Sequence, residues 1–169
     1  MTTKFEYVDS AAGAYSLSQA TVWDAQTFTP SVPHVITSVK LLLFRTGSPG
    51  TMTVSIRATD VDGKPTGADL CSGTTNGNTL TTDTAAEWRE ITFSPGATLK
   101  SGVKYAIVVR APDAGGIDGY YWKRTNAGYA GGAYWRSGNS GATWSADTGD
   151  CDFEDWGAPQ QGGMFALFS

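Results

Sequence analysis

The chain has 169 residues and a formal net charge of -4 at pH 7, with 21 glycines, 12% aromatic residues and only 17% charged residues. A domain of this length buries about 70% of its unfolded surface, so its core needs no metal or disulfide. The acidic balance argues against a nucleic-acid partner, which would require clustered lysine and arginine. The longest apolar run, residues 41 to 44, is too short for insertion into a membrane.

Strand-like patterns follow one another from residue 34 onward. Residues 34 to 45 are apolar on both faces, which is typical of a central strand. Residues 51 to 60 alternate apolar and polar side chains, and the short turn between the two stretches predicts a hairpin. Further strands are predicted around residues 70 to 72, 87 to 96 and 104 to 112.

The last third consists of short apolar or aromatic pieces between glycine-rich turns, and no window has the 3.6-residue period of a helix. The patterns predict an all-β fold, an antiparallel two-sheet β-sandwich of jelly-roll type with about nine to eleven strands. We interpret residues 1 to 169 as one domain. Residues 1 to 24 form its N-terminal segment, and residues 158 to 169 are predicted to be a closing strand or an assembly contact.

A hairpin signature, SGNSGATW, lies at residues 137 to 144 and has the spacing of an Asp-box with an amide in the acidic position. In such a turn the amide caps backbone N–H groups, the glycine supplies a permissive backbone and the tryptophan packs beneath. One copy cannot build a propeller, so we interpret the motif as a structural turn. Its residues are Ser137, Asn139, Gly141, Thr143 and Trp144.

Aromatic residues are concentrated between positions 120 and 156, which hold eight of the thirteen tryptophans and tyrosines. Their flat apolar faces and polar tips suit stacking on sugar rings as well as packing in a core or an interface. Alternation along the strands predicts that about half of these rings face inward. The candidate ligand-binding residues are Tyr121, Trp122, Tyr134, Trp135 and Trp156.

Two loops are rich in carboxylates, the oxygen ligands that Ca²⁺ prefers. Neither loop completes an EF-hand, so a structural Ca²⁺ and solvated turn side chains are both open, and no other cofactor is expected. The candidate Ca²⁺ ligands are Asp60, Asp62, Asp150, Asp152 and Asp155. The two cysteines, Cys71 and Cys151, fit no metal spacing and form either one long-range disulfide or two buried thiols.

Patterns that carry catalysis are scarce in this chain. His34, the only histidine, lies at the start of the most apolar strand, without a nucleophile-elbow pattern nearby and without ligands for zinc. We interpret it as a structural histidine. The sixteen acidic residues leave a glycoside hydrolase open as a remote alternative. The sequence otherwise predicts a protein that is not an enzyme and has no catalytic residues.

Several motifs occur in a characteristic order along residues 25 to 67, 99 to 112 and 131 to 157. They are a Q-x-F segment, a V-x-L strand, a G-S-P-G turn, a G-x-P-x-G loop, an L-x-x-G-x-x-Y-A-I strand and the late hairpin. In this order the chain resembles the choice-of-anchor R type of β-sandwich domain. The resemblance implies a jelly-roll-like module of bacterial surface proteins, carbohydrate-active enzymes and phage or virus particles, with no catalytic residue.

Two functions follow from the resemblance and from the aromatic residues. The first is a non-catalytic structural protein of a virion surface, a capsid decoration or tail accessory domain that docks on a protein lattice or self-associates. The second is a carbohydrate-binding module or cell-surface adhesion domain with a polysaccharide or glycan as its partner. The N-terminus shows no secretory signal. We therefore expect cytoplasmic synthesis, followed by location on a virion or an extracellular surface.

Overall fold

The computed structural model describes residues 1–10, 13–126 and 128–160, and the regular secondary structure of these ranges is almost entirely β-strand. Ten strands have four or more residues, and four more are two-residue pairs that no sequence pattern predicts. The strands are β1 (Thr3–Val8), β2 (Leu17–Ser18), β3 (Trp23–Phe28), β4 (His34–Thr46), β5 (Thr51–Thr59), β6 (Pro65–Asn76), β7 (Glu87–Leu99), β8 (Tyr105–Arg110), β9 (Gly119–Trp122), β10 (Arg124–Thr125), β11 (Tyr134–Ser137), β12 (Ser145–Ala146), β13 (Asp150–Cys151) and β14 (Phe153–Pro159). A 3₁₀ turn, Gly77–Thr79, follows β6.

Two antiparallel six-stranded sheets form the sandwich, which confirms the predicted all-β fold. In sheet 1 the long strand β4 is central, with β7 on one side and β14 and β9 on the other; β1 pairs with β14, and β2 pairs with β9. Sheet 2 has the order β12-β11-β3-β8-β5-β6. A two-stranded ribbon pairs β10 with β13.

The predicted hairpin between β4 and β5 is wrong, because the two strands belong to opposite sheets. β4 pairs with strands of sheet 1, whereas β5 pairs with β6 and β8. Residues 47 to 50 carry the chain from one sheet to the other, and Gly47 and Gly50 have φ values of +57° and +74°. Glycine adopts such values without strain. The local turn chemistry therefore fits a crossing between sheets as well as a hairpin.

The core lies between the inner faces of the two sheets. Alternation along β5 directs Met52, Val54 and Ile56 inward, as the sequence predicts, and all three are fully buried. Burial of one such side chain contributes about 1.5–3 kcal/mol. The largest side chains of the core also include Phe28, Ile36, Leu41, Ile107, Tyr120 and Phe153.

Cys71 and Cys151 are buried free thiols, so the disulfide alternative is wrong. Cys71 lies on β6 of sheet 2 and Cys151 on β13 of the ribbon, and both belong to the main core cluster. Burial raises the pKa of Cys71 to about 11 and the pKa of Cys151 well above its ordinary value. Both side chains therefore act as small apolar core residues.

The two termini of the sandwich meet in sheet 1. The N-terminal segment supplies β1, which pairs with β14 at the edge of the sheet. Of the predicted closing strand at residues 158 to 169, β14 covers Ala158 and Pro159, and residues 161–169 lie outside the described residues. Across the described ranges, no helix is long and apolar enough to cross a membrane.

Candidate ligand-binding site

The outer face of sheet 2 carries a second, smaller apolar cluster. Its floor consists of alanine and valine side chains of β3 and β8, which are fully buried. Because these floor side chains are small, three large rings fit above them. We name this group the tryptophan cluster; its floor is Ala25, Ala106 and Val108, and its rings are Trp23, Trp135 and Trp144.

Trp144 reaches the cluster through the turn between β11 and β12. Asn139 Oδ1 accepts the backbone N–H of Thr143 at 2.9 Å, and Asn139 Nδ2 donates to Thr143 Oγ1 at 2.9 Å. Ser137 Oγ accepts the backbone N–H of Gly141, also at 2.9 Å. Gly141 has φ +81°, and a Cβ atom there would lie 2.8 Å from the ring of Trp23. The turn thus places Gly141 against the ring of Trp23 and buries the ring of Trp144.

The indole N–H groups of Trp23, Trp135 and Trp144 are buried, and none of them donates a hydrogen bond within the described residues. An unpaired buried donor costs about 1–3 kcal/mol, and native proteins ordinarily supply a partner for such groups. The tryptophan cluster therefore holds three donors that the protein itself does not use.

Two arginines lie over the cluster and share one carboxylate. The guanidinium carbons of Arg57 and Arg110 are 5.5 and 5.2 Å from the ring centroid of Trp23. Arg57 Nε donates to Asp69 Oδ1 at 2.7 Å, and Arg110 Nη2 donates to Asp69 Oδ2 at 2.6 Å. Burial favours the protonated carboxyl, but these hydrogen bonds outweigh it and lower the pKa of Asp69. One ionised carboxylate between two guanidinium groups leaves one positive charge in excess.

A cleft of about 380 Å³ opens beside the cluster, between the loop that follows β5 and the turn that ends at Trp144. The loop is held by Asp60, whose Oδ1 accepts the backbone N–H groups of Asp62 and Lys64 at 3.0 and 2.9 Å. Trp144 is the only aromatic residue among the described ones that line the cleft. The polar side chains of the lining are Arg57, Asp60, Lys64, Thr66 and Thr143.

Two of the five predicted ligand-binding aromatics, Trp122 and Tyr134, lie in the main core with 2% and 3% of their surface exposed. The prediction is wrong for both, because alternation along β9 and β11 turns them inward. Trp122 Nε1 donates to the carbonyl of Asp152 at 2.8 Å, and the Tyr134 hydroxyl donates to Asp24 Oδ1 at 2.7 Å. Their polar tips are therefore satisfied inside the protein.

The other three predicted aromatics are half-buried and lie in three different places. Trp135 belongs to the tryptophan cluster on sheet 2. Tyr121, on β9 of sheet 1, stacks on Phe44 with a centroid distance of 4.5 Å, and a second cleft of about 310 Å³ adjoins this pair and Tyr15. Trp156, on β14, donates from Nε1 to Glu154 Oε2 at 2.7 Å. Although these three residues are close in sequence, they do not form one ligand-binding surface.

The five predicted Ca²⁺ ligands do not converge on one site. Within the described ranges, no three acidic, histidine or cysteine side chains are grouped so that they could hold a metal ion. Asp60 and Asp62 are turn carboxylates, and Asp62 pairs with Lys64 at 3.1 Å. The other three carboxylates accept hydrogen bonds from the protein. Asp150 accepts from Gln26 and Tyr129, Asp152 from Ser10, and Asp155 from His34.

His34 lies at the first position of β4, at the start of the strand where the sequence places it. It is fully buried at the start of β4, and Phe5 stacks on its ring at 3.8 Å. Its Nε2 lies 3.1 and 2.8 Å from the two carboxylate oxygens of Asp155, and its Nδ1 lies 2.9 Å from the carbonyl oxygen of Val32. Burial lowers the pKa of His34, but the hydrogen bonds with Asp155 and Val32 and the nearby carboxylate charges together outweigh burial and raise it overall.

Sequence reasoning missed the arginines and the lysine of the candidate site, together with Asp69 and the ring of Trp23. Arg57 carries a usable signal, because it falls on the outward parity of β5 in an otherwise uncharged alternation. Trp23 gives no such signal, since it meets Trp144 only through the pairing of β3 with β11, far away in sequence. Asp69 and Arg110 reach Arg57 through the pairing of β5 with its two neighbours, β6 and β8.

No protein-family model matches the chain, and no curated protein matches it. The resemblance to choice-of-anchor R domains therefore stays a prediction from the sequence motifs. The function is inferred below from the tryptophan cluster and the cleft beside it.

Proposed function

We propose that this protein is a non-catalytic β-sandwich that binds a glycan in the cleft beside the tryptophan cluster. The observation that carries the proposal is the lining of the cleft, which combines hydroxyl, amine, guanidinium and carboxylate groups with part of the ring of Trp144. Sugars present many hydroxyl groups around apolar ring faces, so their sites combine polar groups with an aromatic side chain. The volume of the cleft falls within the range of about 300–1,000 Å³ that is usual for small-ligand sites.

The number of carboxylates in the cleft favours the binding of a glycan over its hydrolysis. Most glycoside hydrolases use two carboxyl groups about 5 to 10 Å apart. Among the described residues that line the cleft, Asp60 is the only carboxylate. One of its oxygens already accepts two backbone N–H groups of its own loop, so its role is to order that loop.

We further infer that the module acts on the surface of a virion or a cell, as a decoration or adhesion domain. This step is supported by the resemblance to choice-of-anchor R domains and by the two separate outer faces of the sandwich. Sheet 2 presents the cleft, while sheet 1 carries the ring of Trp88, which is 38% exposed. The ring of Tyr15, which packs on Phe44 of sheet 1, is 42% exposed. One face can therefore attach to a particle while the other holds a glycan.

A glycan array followed by calorimetric titration of the best ligands tests the proposal. Ala142 lines the cleft and is exposed, so Ala142→Tyr is expected to fill the cleft and to weaken binding at least about tenfold, which corresponds to about 1.4 kcal/mol. Ala85→Tyr is the matched control, because it adds the same ring to an exposed turn outside the cleft. The control is expected to bind like the unmodified protein.

Two results would contradict the proposal. A folded protein that binds neither the array nor insoluble polysaccharides has no glycan-binding function. Binding that survives Ala142→Tyr but is lost in Tyr121→Ala would assign the ligand to the second cleft, on sheet 1.

A further inference from the structure

The lining of the cleft contains cations as well as a carboxylate. The chain carries a net charge of -4, yet the charged side chains of the lining are two cations, Arg57 and Lys64, and one carboxylate, Asp60. Asp69, the nearest other partner of Arg57, is shared with Arg110. Asp62 pairs with Lys64, so the three cations at the cleft, Arg57, Lys64 and Arg110, are matched by three carboxylates. Attraction of an anionic ligand therefore depends on the donors of Arg57 that the protein leaves free, and not on an excess of charge.

Arg57 has unused hydrogen-bonding capacity at this point. Its Nε donates to Asp69, whereas its two terminal nitrogens donate to no acceptor among the described residues. A guanidinium group binds a carboxylate through two parallel N–H donors, and such charge-assisted bonds are about twice as strong as neutral ones. Stacking over Trp23 and the bond to Asp69 hold the guanidinium in place before any ligand arrives. Little side-chain entropy is then lost on binding.

Lys64, in the loop that follows β5, supplies a second cation to the lining. Its Nζ pairs with Asp62 at 3.1 Å, but this pair is solvent-exposed, with side-chain exposures of 38% and 63%. Exposed pairs of this kind contribute little, so the lysine can exchange its partner for a ligand group. From these contacts, and resting on the proposed glycan binding, we propose that the cleft selects saccharides that carry a carboxylate, such as oligomers of uronic acids.

The test compares acids with their own esters. Oligomers of galacturonic, guluronic and glucuronic acid are titrated into the full chain beside their methyl esters, which keep the shape and lose the charge. At least one acid is expected to bind about tenfold or more tightly than its ester, with an affinity that falls as salt is added. A sulfated galactan oligomer is included to separate carboxylate recognition from general attraction of anions.

Substitutions of Arg57 test whether its guanidinium group causes the preference for the acid over the ester. Arg57→Gln is expected to bring the acid-to-ester ratio close to one, and Arg57→Lys to retain part of it. Arg89→Gln is the matched control, since Arg89 is a half-buried arginine paired with Glu87 on β7, away from the cleft. If Arg57→Gln fails to fold by circular dichroism, Lys64→Gln replaces it, because Lys64 is a loop residue whose amine faces solvent.

The outcomes separate the inference from the proposed function. If neutral glycans bind in the cleft and every ester binds as tightly as its acid, carboxylate selection is wrong and glycan binding stands. Preference for the sulfated oligomer, or an unchanged acid-to-ester ratio in the folded Arg57 and Lys64 variants, also overturns the inference. If neither the acids nor any neutral glycan binds, the proposed function fails as well.

Discussion

His34 and Asp155 form a buried pair whose hydrogen bonds depend on how many protons the pair holds. Both ring nitrogens of His34 face oxygen acceptors, the carboxylate of Asp155 and the carbonyl of Val32. Each nitrogen can donate only if the pair holds a proton beyond that of a neutral imidazole beside a carboxylate. Burial raises the pKa of Asp155, and the bond to that carboxylate raises the pKa of His34. Both pKa values are raised, which means that the folded pair retains one proton.

Asp155→Asn is expected to reverse the pH dependence of stability in the neutral range. The folded pKa of His34 is raised above its ordinary 6.5, so its contribution is complete below that value and is lost as pH rises through the folded pKa. In the variant the amide donates to a neutral, buried imidazole, which lowers the pKa of His34. The free energy of unfolding of the variant then falls as pH drops below about 6.5.

Urea unfolding followed by tryptophan fluorescence at several pH values measures this reversal. The slope contributed by one proton does not exceed about 1.4 kcal/mol per pH unit. Because the difference between the two proteins cancels every group they share, the unmodified protein serves as the control. Parallel stability curves for the two proteins would show that the pair does not retain the proton.

At the scale of single residues, alternation within a strand predicts which rings share a face, but it does not say which of the two faces is buried. It assigns Tyr120 and Trp122 to one face and Tyr121 to the other, and the structure buries the first two and leaves the third half-exposed. Partners across the fold were beyond this reasoning. Nothing near His34 in the sequence indicates Asp155, because the contact depends on the pairing of β4 with β14.

At the scale of elements, the turn from β11 to β12 depends on one amide. Asn139→Ala removes the hydrogen bonds to the backbone and the side chain of Thr143 and is expected to cost about 1–2 kcal/mol. Asn139→Asp keeps the acceptor for the backbone N–H, and the threonine hydroxyl can rotate to donate to the new carboxylate. It is therefore expected to cost less than half as much, as measured by thermal and urea unfolding. Equal losses in both variants would mean that this amide does not order the turn.

The elements themselves were largely predictable, and their partners were not. The long strands β4, β5, β7 and β8 lie where apolar patterns predict them, because burial imposes a period of two on each strand. The pairing of β4 with β7 instead of β5 leaves no such local trace. The sequence also does not indicate where the two sheets approach each other closely. A Cβ atom at Gly73 would lie 2.2 Å from the carbonyl oxygen of Thr92, where β6 of one sheet contacts β7 of the other.

At the scale of the whole molecule, the candidate site is a product of topology. Strands β3, β5 and β8 are neighbours in sheet 2, and this order brings Trp23, Arg57 and Arg110 together on its outer face. The sequence predicts an aromatic site from the density of rings near the C-terminal end. It could not divide those rings between a core and two outer faces, because that division depends on which strands share a sheet.

The two thiols offer a test of whether the sandwich unfolds as one unit. Cys71 and Cys151 lie in different β-structures but in the same core cluster, and burial raises the pKa of both, so neither is expected to react with a thiol reagent at about pH 8 in the native protein. In urea both are expected to become reactive together, at the midpoint of the fluorescence transition, because a single-domain core is lost in one cooperative step. Peptide mapping by mass spectrometry identifies each labelled thiol. If Cys71 on the edge strand β6 reacted well before Cys151, sheet 2 would open separately, and the tryptophan cluster on its outer face would be less stable than the rest of the fold.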